Sequence, residues 1–172
     1  FMIKLDGSYL EGGGQIVRTA LALSTLTGKP FTIDKIRSGR KKAGLKAQHL
    51  HCIKALETLC DAKTKYAKIG SEKLEYIPGK IEGKTISIDI GTAGSITLLL
   101  QCLLIPIIFC GKKTRFNIKG GTDVKWSMPI DYLNDVFLPI ARKYADIDLK
   151  LKKRGYYPKG GGLVDVVVKS IY

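Results

Sequence analysis

The chain has 172 residues, with 29 Lys and Arg against 15 Asp and Glu and a formal net charge of +14. That length suffices for one domain with a real core or for two small units. The charge favours a polyanionic partner, nucleic acid first, over a plainly basic solvated surface. The longest apolar run, Leu98 to Cys110, is interrupted by Gln101 and Pro106 and is shorter than the roughly 20 residues that span a bilayer, so no membrane association is expected. Phe1-Met2-Ile3-Lys4-Leu5 leads straight into a strand, and no leader is read there. Cys52, Cys60, Cys102 and Cys110 form no CxxC pair, which reads as reduced core thiols of a cytoplasmic protein.

In chain order, Met2 to Leu5 is read as a strand and Asp6 to Gly14 as a loop. Gln15 to Thr27 is a helix with Ile16, Val17, Ala20, Leu21 and Ser24 on one face and Gly28 stopping it. A strand at Pro30–Ile36 precedes the basic loop Arg37-Ser38-Gly39-Arg40-Lys41-Lys42. Leu45 to Asp61 is a second helix, its inner stripe being Leu45, His49, Cys52, Ile53, Leu56, Leu59 and Cys60. Strands near Thr64–Ile69 and Lys73–Ile77 follow, and Pro78-Gly79 ends the second.

The order then repeats. Thr85 to Ile90 alternates as a strand, and Gly91-Thr92-Ala93-Gly94-Ser95 turns into a helix, Ile96 to Cys110, that is apolar on every face. Such a helix calls for burial between layers, against further chain or a second copy. After a strand at Thr114–Ile118 and the loop Gly120–Trp126, a helix is expected with Ser127 or Met128 as its cap, Pro129 in its first turn and Asp131 favouring its dipole. Its core face would be Ile130, Leu133, Phe137, Ile140, Ala141 and Tyr144, with a kink at Pro139. Strands Ile147–Leu151 and Leu163–Ile171 are joined by the glycine-rich stretch Arg154–Gly162. The whole is an α/β chain of two β-α-β-α-β-β units, an α+β sandwich with boundaries at 1–83 and 84–172. Gly28 matches Gly111 and Pro78 matches Pro158 between the two.

Leu10-Glu11-Gly12-Gly13-Gly14-Gln15-Ile16-Val17-Arg18 places three glycines between a carboxylate and a helix. Glycines let backbone N–H groups approach an anion, and a helix N-terminus adds partial positive charge. The bland alternative is a flexible turn. Glu11 reads either as a metal-holding carboxylate or as a solvated loop side chain. Arg18 sits at the start of a helix and Arg37 and Arg40 in the basic loop after the next strand; in an open α/β layout loops after consecutive strands gather at one end of the sheet, which favours a phosphate grip over ordinary surface charge. Lys41, Lys42 and Lys46 extend that patch. Gln101 is the one strongly polar side chain of the apolar helix and either ties core elements together or bonds a nucleotide. His49 is read as a hydrogen-bonded core histidine and His51 as solvent-exposed. Neither suggests a hydrolytic triad. Trp126, Tyr156 and Tyr157 are read as capping the core, with base stacking as the alternative.

Several stretches together resemble the RNA 3'-terminal phosphate cyclases. They are Asp6-Gly7 with Glu11 to Arg18, Ile36 to Arg40 with Gly44-Leu45 and Gln48-His49, and Ile90 to Ser95 with Gln101. Gly120-Gly121-Thr122-Asp123 and Tyr156-Tyr157-Pro158-Lys159-Gly160-Gly161-Gly162 match as well, in order and nearly end to end. The resemblance implies a fold of repeated β-α-β-α-β-β units shared with enolpyruvate transferases. It implies an enzyme that takes AMP from ATP onto a histidine, adenylylates an RNA 3'-phosphate and leaves a 2',3'-cyclic phosphate. Glu11 would then sit at a divalent ion (Mg2+ or Mn2+) and the ATP phosphates. Arg18, Arg37, Arg40 and Gln48 would hold phosphates, Gln101 would contact the nucleotide, and Pro129 would pack near the adenine.

Members of that family run to about twice this length and carry the nucleophilic histidine in their C-terminal part. The expectation is therefore an N-terminal piece lacking the third repeat, the small inserted domain and the C-terminal part. That remainder and a second copy would be its partners beside RNA, and alone the piece would be inactive. The competing reading is a non-catalytic cyclase-like RNA-binding or ribosome-assembly factor. The presence of Glu11, Arg18, Arg37, Arg40 and Gln101 weighs for the enzyme.

Overall fold

A computed structural model describes residues 1–172, which fall into two compact units, Phe1–Ile81 and Glu82–Tyr172. In the first, β1 (Ile3–Asp6), α1 (Gly14–Thr27), β2 (Phe31–Asp34), α2 (Ala47–Cys60), β3 (Lys63–Lys65) and β4 (Leu74–Ile77) follow one another. The sheet order is β1-β2-β4-β3. β1 and β2 are parallel, with Ile3 opposite Phe31, and α1 is their crossover. β4 runs antiparallel to both β2 and β3. The second unit repeats this plan. β5 (Thr85–Asp89), α3 (Ile96–Ile108) and β6 (Lys113–Gly120) lead through a broken helix to β7 (Ala145–Lys153) and β8 (Gly162–Ser170), and the sheet order is β5-β6-β8-β7.

Each sheet buries one face. Phe31 and Ile33 of β2 and Leu74 and Tyr76 of β4 point inward in the first unit, as do Phe116, Ile118, Val164, Val166 and Val168 in the second. Period-two alternation dictates this, and each such side chain contributes about 1.5–3 kcal/mol by leaving water. The inner stripe of α2 is as expected, with His49, Cys52, Ile53, Leu56, Leu59 and Cys60 all buried, while Leu45, expected to open this helix, is buried in the loop before it. Tyr76 keeps its hydroxyl satisfied inside the core through Thr25 Oγ1 at 2.7 Å, and its ring centroid lies 5.6 Å from that of Phe31.

The helix after residue 129 departs most from expectation. It is α-helical at α4 (Ile130–Tyr132), π-helical over Leu133–Phe137 and α-helical again at α5 (Leu138–Ala141). Pro139 has no N–H to give, and the turn before it widens until the Leu138 N–H donates to Leu133 O, five residues back. The extra residue rotates everything after it. Leu138 and Ala141 face the core, while Ile140 is 59% and Tyr144 45% exposed, and Phe137 is only half-buried. Neither Ser127 nor Met128 caps this helix, because Pro129 is the cap residue and makes no side-chain cap. Met128 instead gives its carbonyl to Thr97 Oγ1 at 2.8 Å.

Four smaller expectations also change. α3 is capped by Ser95, whose hydroxyl accepts from the Leu98 N–H, and it is not buried all round, since Ile105 is partly exposed. Pro78 follows β4, whereas Pro158 lies in the β7–β8 connection ahead of β8, so the two are not equivalent. His51 is half-buried. Trp126, Tyr156 and Tyr157 cap no core, being 96%, 55% and 83% exposed. No helix is long and apolar enough to cross a membrane.

Candidate phosphate site

β1 and β2 are parallel neighbours, so the loops leaving their C-terminal ends, 7–13 and 35–46, rise side by side. Three non-glycine residues in these loops hold positive φ: Leu10 at 50°, Lys35 at 55° and Arg37 at 55°. Strain of this kind persists only where the surrounding structure imposes it.

The centre is His49. It is 3% exposed, and as the third residue of α2 its Nδ1 accepts the Lys46 N–H at 3.0 Å. That bond leaves the proton of the neutral ring on Nε2. Burial, with the positive charges of Arg18, Arg37 and Lys46 added, lowers its pKa to about 4. The Nε2 edge abuts the glycine triplet. A Cβ built on Gly14 would lie 2.3 Å from His49 Nε2 and 3.2 Å from Arg18 Nη1, so only glycine lets α1 begin against this ring.

Arg18 is nearly buried, 9% exposed, and its Nη2 donates to Gln15 Oε1 at 2.9 Å. Arg37 gives one Nη2 hydrogen bond to the Lys42 carbonyl at 3.4 Å, and its buried Nε has no hydrogen-bond partner. Arg40 lies at the rim. Its Nε donates to the Glu11 carbonyl at 3.1 Å, and its Nη2 stands 3.4 Å from Glu11 Oε2. Gln48 is half-buried on the first turn of α2. The N-terminus of α1 has no acidic residue in its first turn and no side-chain cap, so its amides and dipole are open to an anion. Glu11 is the one carboxylate here and is 89% exposed. No group of three or more His, Cys, Asp or Glu is placed to hold a metal ion. A divalent ion would find one protein carboxylate here, that of Glu11.

Gln101 and Pro129 belong to the second unit. Gln101 is half-buried, and its Oε1 is buried without a hydrogen-bond partner. One turn earlier on α3, Thr97 binds the Met128 carbonyl next to Pro129, which is exposed. An unsatisfied carbonyl oxygen at such a position is an open acceptor.

A family model described as RNA 3'-terminal phosphate cyclase matches residues 9–171. The chain belongs to the RNA 3'-terminal phosphate cyclase family. Among its relatives bearing that name, the protein of Pyrococcus furiosus is 52% identical over 169 residues, 98% of this chain and 49% of that protein. The one from Thermococcus gammatolerans is 54% identical over 163 residues, 94% of this chain and 47% of its own. The one from Saccharolobus islandicus is 49% identical over 172 residues, 99% of this chain and 50% of its own. The chain thus spans about half the length of these cyclases.

Within this cyclase-family chain, the first unit gathers Glu11, Arg18, Arg37, Arg40 and Gln48 on two neighbouring loops and the helices they open. The reading of His49 as a hydrogen-bonded core histidine holds; what was not legible is that its Nε2 edge meets the start of α1 at Gly14. The position of His49 three residues after Lys46 was the available signal. A second missed feature is Arg154, whose Nη1 and Nη2 each bond Asp131 at 2.9 Å, with Nη1 3.3 Å from Asp123. Partners 23 and 31 residues away leave no local trace in sequence.

Proposed function

We propose that this chain supplies the phosphate-holding part of an ATP-dependent enzyme that converts an RNA 3'-terminal phosphate to a 2',3'-cyclic phosphate. One observation carries the reading: Arg18, Arg37 and Lys46 surround a neutral, buried His49 at the uncapped start of α1. Cations gathered with so little compensating carboxylate repel one another, and a bound phosphate relieves that repulsion. Arg18 and Arg37 would take phosphate oxygens in charge-assisted bonds, and the His49 Nε2–H would add a neutral donor. Arg40 and Gln48 would extend the grip. Glu11 would reach a divalent ion shared with ATP phosphates, which supplies charge neutralisation there. Gln101 and Pro129 would receive the nucleotide.

The reaction balances as three displacements. AMP passes from ATP, with loss of pyrophosphate, through a histidine to the RNA 3'-phosphate. The neighbouring 2'-hydroxyl then attacks that phosphorus, loses its proton and expels AMP. His49 does not suit the role of the AMP-carrying nucleophile, because Nδ1 is engaged and Nε2 bears the proton. The expectation for this chain by itself is no covalent AMP adduct on labelling with α-32P-ATP.

The test is competition binding with one RNA oligonucleotide carrying either a 3'-phosphate or a 3'-hydroxyl. Charge-assisted bonds worth roughly 1.5–3 kcal/mol predict about tenfold or greater preference for the phosphate, abolished in Arg18→Ala. Equal affinities for the two ends would overturn the reading.

A further inference from the structure

The second unit carries another surface, at the end of its sheet where β5 and β6 finish. Three connections meet there, 90–95, 121–129 and 154–161. Gly121 N–H donates to Gly94 O at 2.8 Å, and Thr122 N–H to Gly155 O at 2.8 Å. Gly160 holds φ 68°, and a Cβ there would stand 2.4 Å from Thr92 O. The loops are therefore locked to one another.

Their acidic groups are spent internally. Asp123 and Asp131 are both taken by Arg154, and Thr122 Oγ1 donates to Asp123 at 2.6 Å. What the loops show to solvent is basic and aromatic. Lys125, Lys153 and Lys159 are exposed and form no ion pair with a carboxylate. Trp126 is 96% exposed, Tyr157 83% and Tyr156 55%. Scattered apolar surface residues need no explanation, but three large rings on two adjoining loops do. Trp126 also holds φ 66°, a conformation that costs a bulky residue of order 1 kcal/mol or more and marks functional loops.

We propose that this loop end of the second unit is a stacking platform for single-stranded RNA. Ring faces of Trp126, Tyr156 and Tyr157 receive bases, which need no defined sequence for this because every base has a π-face. Lys125, Lys153 and Lys159 neutralise the intervening phosphates. An acidic peptide would match the lysines but would make no use of three ring faces. The choice of RNA as the strand rests on the function proposed above. The surface itself stands on its own geometry.

Trp126 is the single tryptophan of the chain, so it reports directly. The experiment titrates the whole chain with a 3'-hydroxyl RNA of about ten nucleotides, within the range of such sites, which bypasses any phosphate-end preference. The free protein should emit as a water-exposed tryptophan and be quenched by the RNA. By anisotropy of a 5'-labelled strand, Trp126→Ala and Tyr157→Ala should each weaken binding roughly 5- to 150-fold, with Tyr157→Phe retaining it. Lys125→Ala with Lys159→Ala should lower the salt slope by about 1.4. A blue-shifted emission before RNA is added would mean protein already covers the ring, and would overturn the proposal. So would equal quenching by ATP alone, or by an acidic peptide, or unchanged affinity in the aromatic variants. Loss of the 3'-phosphate preference with stacking intact would count only against the phosphate site.

Discussion

Lowering the pH should destabilise the first unit through His49, by an amount the structure sets. The folded chain holds this ring neutral to about pH 4, against an ordinary value of 6.5. In the unfolded chain the ring protonates near 6.5. At neutral pH both states carry a neutral ring, and the full stability is present. As pH falls below 6.5 the unfolded state binds a proton that the folded state refuses, so stability declines until about pH 4. The total loss is about 3 kcal/mol from this group, a large share of what a small domain possesses. Urea unfolding of wild type and His49→Asn between pH 7.5 and 4 isolates it. Asn keeps an acceptor for the Lys46 N–H but does not titrate, and other groups cancel in the difference. The wild-type advantage should shrink by about 3 kcal/mol on acidification. Parallel curves would show that the ring is not held neutral by its surroundings. Saturating inorganic phosphate should flatten the wild-type curve, since an anion beside Nε2 favours the protonated ring.

Gly14→Ala tests the packing of α1 on His49. Helix propensity alone predicts a gain of up to about 1 kcal/mol, whereas the clash with a buried ring predicts a loss of about 1–3 kcal/mol in chemical denaturation. Gly160→Ala meets backbone and a positive φ together, and should cost the second unit about 1–3 kcal/mol by the same assay. Arg154 holds the Asp131 carboxyl below its usual range. Asp131→Asn should therefore speed hydrogen exchange in 121–126 at neutral pH, and the difference from wild type should fade as pH drops through the carboxylate range. The four thiols are buried or half-buried, with burial raising the pKa of Cys110, so a disulfide reagent should modify them slowly until denaturant is added.

The sequence by itself determined the two-unit β-α-β-α-β-β plan, because alternation in the strands and the inner stripe of α2 are local patterns. It also showed which basic residues of the first unit would come together. Arg37 and Arg40 lie in the loop after β2 and Arg18 in the second turn of α1, the helix that follows β1, and the parallel pairing of β1 with β2 makes these connections neighbours. Tertiary structure decided what depends on a third dimension. The π turn ahead of Pro139 shifted the core face by one residue, so that Leu138 packs inside where Phe137 was expected and Ile140 and Tyr144 turn outward, while Ala141 keeps its expected place in the core. No periodicity rule applied at constant 3.6 residues per turn can anticipate that. The neutral state of His49 comes first from burial and then from the charges of Arg18, 31 positions away, Arg37 and Lys46. The exposure of Trp126, Tyr156 and Tyr157 follows from how three glycine-linked loops close on one another. Composition counts an aromatic ring as apolar, and only the packing of its neighbours determines whether that ring faces the core or a ligand.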